Sequence, residues 1–230
     1  MPEHSAARTI TQATLLGIVS GVPGVGGAAA GLLQGAADSA SRARDEEWWA
    51  MVAARVSSLE RDVQAIASVE DPEFLAALHR LTRAAQETAD ETKRERLAAA
   101  VVHSGSWSSL PLDDRVRMER LIAELSSREV KLLTILADPR GWLEDVDPAA
   151  VQMYENKPMA STQNFLDDHV SQNDLTEQAA VRSALEALQV RALVGAFDAA
   201  RATTGSAVLQ SKTTGLGWEL VHFLRGIGAS

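Results

Sequence analysis

From Thr9 to Ala37 the chain carries no charged side chain. An unbroken apolar stretch of that length reaches across a bilayer, which takes about 20 residues. This one is broken. "VPGVGG", with Pro23 and three glycines, interrupts any helix that enters it. The pattern predicts two short helices joined by a tight turn, each too short to span a membrane alone. Gly17 and Gly21, then Gly27, Gly31 and Gly35, recur every fourth position. Such glycines share one helix face and let another backbone come close. We read the segment as a helix-packing element, a close-packed Gly/Ala hairpin on the protein's own core or a partly ordered tail. Insertion of residues 10–37 into a membrane on activation or oligomerisation is the alternative. A signal peptide fits less well, because Glu3 opposes Arg8 and the apolar run is interrupted.

The same glycines imitate nucleotide motifs. Gly21 and Gly26 have P-loop spacing, but Gly27 and Ala28 stand where Lys and Ser or Thr must neutralise phosphate and bind Mg²⁺. Gly24, Gly26 and Ala29 match a dinucleotide fingerprint, yet helical patterns follow where a βαβ unit needs strands. A nucleotide site is disfavoured.

The remainder is ordinary globular sequence, with 46% hydrophobic and 23% charged residues in a chain of 230. A net charge of −9 opposes nucleic acid and anionic lipid unless a local patch overrides it. There is no cysteine. Disulfides, thiolate metal sites and Cys nucleophiles are excluded, and a cytoplasmic location fits, with membrane association through residues 10–37 left open.

Residues 41–157 read as a helical domain. Trp48, Val52, Val56, Leu59, Val63 and Ile66 form a stripe at helical spacing. Trp48 and Trp49 point about 100° apart, so one anchors the core and the other is a candidate interface residue. Asp71 with Pro72 opens a helix that buries Phe74, Leu78, Leu81 and Ala85. Thr88 with Glu91 has capping-box spacing before Leu97 and Val101. Arg80, Arg83, Lys93, Arg94 and Arg96, nearly cancelled by acids, read as a solvated, salt-bridged surface. A helix from Leu112 turns Val116, Leu121 and Leu125 inward. Ser126 with Glu129 is a second capping box, opening a helix through Val130, Leu133 and Leu136 that ends at Asp138-Pro139 and Gly141. "DPAAVQMYENKP" is one more short helix.

Residues 160–230 predict helix, turn, helix, hairpin, helix, the order of a winged helix. Ser161 or Thr162 caps the first helix. Val181, Leu185 and Leu188 face inward from the second. Residues 192–194 start a strand, Gly205 sits between two pairing runs, and Trp218, Val221 and Leu224 face inward from the last helix. The fold class expected is therefore mainly α, a helical bundle with a small C-terminal winged-helix-like α+β module behind the Gly/Ala-rich segment 1–40.

The module is a poor DNA reader. It carries five Lys/Arg against seven Asp/Glu, and its recognition helix offers only Arg182 and Arg191. Those two are kept as candidate interface residues toward protein. His4, His79, His103, His169 and His222 are scattered without ligand spacing, and Asp167-Asp168-His169 reads as a solvated helix face. No G-x-S-x-G occurs. No catalytic residue, metal or cofactor is expected.

"AAQETADETKRERLAAAVVHSG", "IAELSSREVKLLTIL" and "LEALQVRALV…TTGLGWELVHFL" follow one another in an order that resembles bacterial helical proteins of the abortive-infection alpha type, over about residues 70–225. The resemblance implies phage defence and no agreed catalytic residues. The expectation is a non-enzymatic interaction or scaffold protein that meets a protein partner or its own copies. A membrane-active effector is the second reading and a DNA-binding regulator the third.

Overall fold

The structure is a computed structural model that describes residues 42–56 and 70–225. Its regular elements are helices. Residues 42–56 form α1. Then come α2 (Pro72–Gln86), α3 (Glu91–Val102), α4 (Leu112–Glu124), α5 (Ser127–Ala137), α6 (Pro139–Val146) and α7 (Pro148–Glu155). The short α8 (Thr162–Phe165) runs into a π-helical turn, Leu166–Val170. After it come α9 (Leu175–Val190), α10 (Gly205–Val208) and α11 (Gly215–Arg225). The five zipper glycines and Leu59, Val63 and Ile66 lie outside the described residues.

Three Asp-Pro pairs start three of these helices. Asp71, Asp138 and Asp147 accept N–H bonds from Phe74, Gly141 and Ala150 at 2.7, 2.9 and 3.2 Å. The proline that follows each has no N–H to leave unpaired, and its φ is already helical. Asp138-Pro139 thus ends α5 as expected but also opens α6, a helix the sequence reading lacks. The Ser126–Glu129 capping box is complete, with bonds of 3.2 and 2.7 Å. The box expected at Thr88 and Glu91 does not form. Asp90 caps α3 instead, accepting from Lys93 N at 3.1 Å, since a carboxylate is the stronger N-cap.

α5 is the centre. Val130, Leu132, Leu133, Ile135 and Leu136 are all buried, so its apolar surface goes nearly all the way round. It packs on α6, α9 and α11, while α3 packs on α2, α4 and α11. One apolar cluster runs from Trp48 to Phe223 without a break.

Two glycines permit this closeness. A Cβ on Gly217 would strike the Leu193 carbonyl oxygen, and one on Gly205 that of Tyr154. Contact at Gly217 also sets the roll of α11. Gly217, Leu220, Val221 and Phe223 face inward, and Trp218, expected inside, is 44% exposed.

The expected hairpin does not form. Among the described residues there is no strand, only two isolated bridges, Ala160 with Thr203 and Val194 with Thr213. Gly205 is no hairpin turn. It opens α10 against Tyr154, capped by Thr204, which accepts from Ala207 N at 3.3 Å. The segment between the bridges is drawn to Ala160, so the two arms meet at one residue pair and make no wing.

Candidate functional site

The expected surface charges are partly interior. Arg94 and Arg115 are 6% and 4% exposed, and Glu119 is 2%. Arg94 pairs with Glu47 of α1 at 2.7 Å. Glu119 pairs with Arg80 at 2.6 Å. Arg115 pairs with Glu73 and donates to the Ser104 and Gly105 carbonyls. A buried charge survives only with such partners, because desolvation otherwise neutralises or expels it. These pairs tie α1 to α3 and α2 to α4, while Arg94 Nε and Nη1 and Arg115 Nε are buried with no hydrogen-bond partner among the described residues.

The expected interface residues separate. Trp48 is 2% exposed and donates from Nε1 to Thr82 Oγ1 at 3.1 Å. Trp49, a third of a turn round α1, is half-buried against the core. Arg191 ends α9 and donates to Glu129 at 3.3 Å, the same carboxylate that completes the capping box. Arg182 stands exposed, its Nε donating to the Gln178 carbonyl at 3.4 Å.

His169 is not on a solvated face. The extra residue per turn in the π-helical segment carries its ring inward, 5.7 Å from both Tyr154 and Phe165. Tyr154 Oη, His169 Nε2 and Ser171 Oγ are buried without a hydrogen-bond partner among the described residues. Burial, and then the charge of Asp168, push the Tyr154 phenol up to about 12. Asp168 itself points to solvent. Tyr154 and His169 sit in a packed aromatic corner, with Trp142 edge-on to Phe165 at 6.0 Å. Among the described residues no three His, Asp or Glu come together to hold a metal, and no helix is long and apolar enough to cross a membrane.

The surface that stands out is the outer face of α9. Val181, Ala184, Leu185 and Leu188 are buried on one side. On the other, Leu175, Ala179, Arg182, Ser183, Glu186 and Val190 are all exposed. At 100° per residue these six fall within an arc of about 100°. Leu175 is 78% and Val190 86% exposed. Single exposed aliphatics are common, but two on one helix face, with Glu186 between them making no ion pair among the described residues, form a patterned stripe. Sequence reasoning found Arg182 and missed the rest. The available signal was the spacing of Leu175, Ala179, Arg182, Glu186 and Val190, opposite the buried set. Compared with known proteins, the chain matches no family model, no curated protein and no solved structure.

Proposed function

We propose that the chain works without catalysis, as an interaction or scaffold protein, through the outer face of α9. The supporting observation is the exposure of Leu175 and Val190 on the arc that holds Arg182 and Glu186. Large aliphatics that the fold leaves in water gain free energy when a partner covers them, and flanking charges set which partner fits. The resemblance to abortive-infection proteins supplies phage defence as the setting. To test the face, a photo-crosslinking amino acid is placed at Ala179 of the full chain, with Glu144 of α6 as control, and expressed in bacterial cells. A discrete protein adduct from position 179 and none from 144 is expected. No adduct at 179, or equal adducts at both, ends this reading.

A second reading is supported by residues 10–37, whose uncharged, glycine-spaced sequence suits a membrane-active effector. Liposome flotation of the full chain beside one starting at Asp38 decides it, and absent binding by both removes it. The DNA-binding reading loses its support with the missing wing and with Arg191 committed to Glu129.

A further inference from the structure

We infer that residues 167–173, which link α8 to α9, form a strap that opens by itself while the rest of the bundle stays folded. Its ends are firm. On one side Phe165 and Leu166 are 0% exposed. On the other, the Asp174 carboxylate accepts from Thr176 N and Glu177 N at 2.8 and 3.0 Å. It thereby holds the start of α9, whose Val181, Ala184, Leu185 and Leu188 are buried. Between these anchors Asp168, Gln172 and Asn173 are exposed, and Asp167, His169 and Val170 are half-buried. Val170 is the one aliphatic that leaves the core when the strap lifts, so little apolar burial opposes the motion. Opening needs no partner on the outer face of α9 and stands or falls apart from the interaction reading above.

The closed form carries local costs. Its π-helical turn is closed by Ser171 N donating to Leu166 O at 2.9 Å, a wider and rarer ring than an α-helix makes. Gln172 and Asn173 follow with φ of 50° and 61°. Asparagine tolerates that left-handed backbone, whereas glutamine seldom adopts it. Ser171 Oγ and His169 Nε2 are buried with no hydrogen-bond partner among the described residues. Among those residues, a left-handed pair, a π-helical turn and buried unpaired side chains coincide only here. Lifting the strap relaxes both backbones and returns the serine hydroxyl and the imidazole to water. Against this stand the Ser171 bond and two more, Asn173 N to Asp167 O at 2.8 Å and Asp174 N to Ser171 O at 2.9 Å. Each is exchanged for a bond to solvent at a small net loss. The open form is therefore a minor state close to the closed one, and it presents His169 to solvent just ahead of α9.

Amide hydrogen exchange of the full chain at neutral pH reads the opening directly. The amides of residues 171, 173 and 174 should exchange about a hundredfold faster than those of Leu132, Leu133 and Ile135 in α5, at rates that stay flat in low urea. Rates that match α5 and climb with urea alongside it overturn the strap. Ser171→Ala removes a hydroxyl that only the closed form leaves unpaired, so exchange at 173 and 174 should slow about tenfold. Unchanged exchange there overturns it too. His169→Asp places a charge where the closed form has no partner for it. Residues 171–174 should then lose protection while α5 keeps it and far-ultraviolet circular dichroism is unchanged. Loss of helix, or of α5 protection, in that variant would mean that residues 167–173 belong to the common core and would end the inference.

Discussion

Tyr154 is the sole tyrosine of the chain, so its ionisation can be followed without a second phenol. Its side chain is fully buried, and its pKa of about 12 lies above the ordinary value near 10. The fold thus favours the neutral phenol. That contribution is whole below about pH 10 and is lost as the pH climbs toward 12, because the unfolded chain gives up its proton first. The phenolate absorbance should stay absent through pH 10 and rise together with loss of helix. Phenolate at pH 10 in a fully helical protein would contradict the burial. Tyr154→Phe removes a hydroxyl that has no partner, so urea unfolding should show stability unchanged or raised by up to about 1 kcal/mol. None of this was legible beforehand, and α4 shows why. Periodicity read its inner face as Val116, Leu121 and Leu125. The buried face is Arg115, Met118, Glu119 and Ile122, continued by Leu125 at the C-cap. A hydrophobic template places every arginine outside. It cannot know that Glu73 and Arg80, distant in sequence, arrive to neutralise Arg115 and Glu119.

Where cues are local, elements were read well. Asp71-Pro72, Ser126 with Glu129, and the stripes of α2 and α9 all lie where the sequence put them, since a cap or an amphipathic face needs only its own neighbours. Asp138-Pro139 carried the same signal as Asp71-Pro72 and was read as a stop. A helix of eight residues has too little periodicity to argue back. The wing failed for another reason. Strand pairing at 192–214 depends on what else those residues can touch, and Gly205 touches Tyr154. The glycines of α11 give the sharpest test at this scale. Gly217→Ala drives a methyl into the Leu193 carbonyl and should cost about 1–3 kcal/mol. Gly215→Ala, in the same helix, meets nothing within 4 Å and should leave stability unchanged or raise it by up to about 1 kcal/mol. Equal effects in thermal unfolding would mean that α11 does not lie against residue 193.

For the molecule as a whole, the expected boundary between residues 157 and 160 has apolar packing running across it. Tyr154 and Phe165 meet at 5.9 Å, α9 and α11 lie on α5, and α10 lies on α7. Helices that share one core lose it together. Urea unfolding followed by tryptophan fluorescence, which samples Trp48 and Trp218 in distant helices, should coincide with the transition seen by circular dichroism. Two separated transitions would mean two independently stable units.

The placement of α11 between α3 and α5 carries a consequence for synthesis. Both earlier helices leave the ribosome well before residues 215–225 are made, and until then α3 and α5 lack a helix that packs on both. The nascent chain must hold that greasy seam open throughout elongation, which is the condition under which holdase chaperones bind and unfinished polypeptides clump. Slowing translation upstream of codon 215 should therefore lengthen the interval of vulnerability, even though the finished fold is the same.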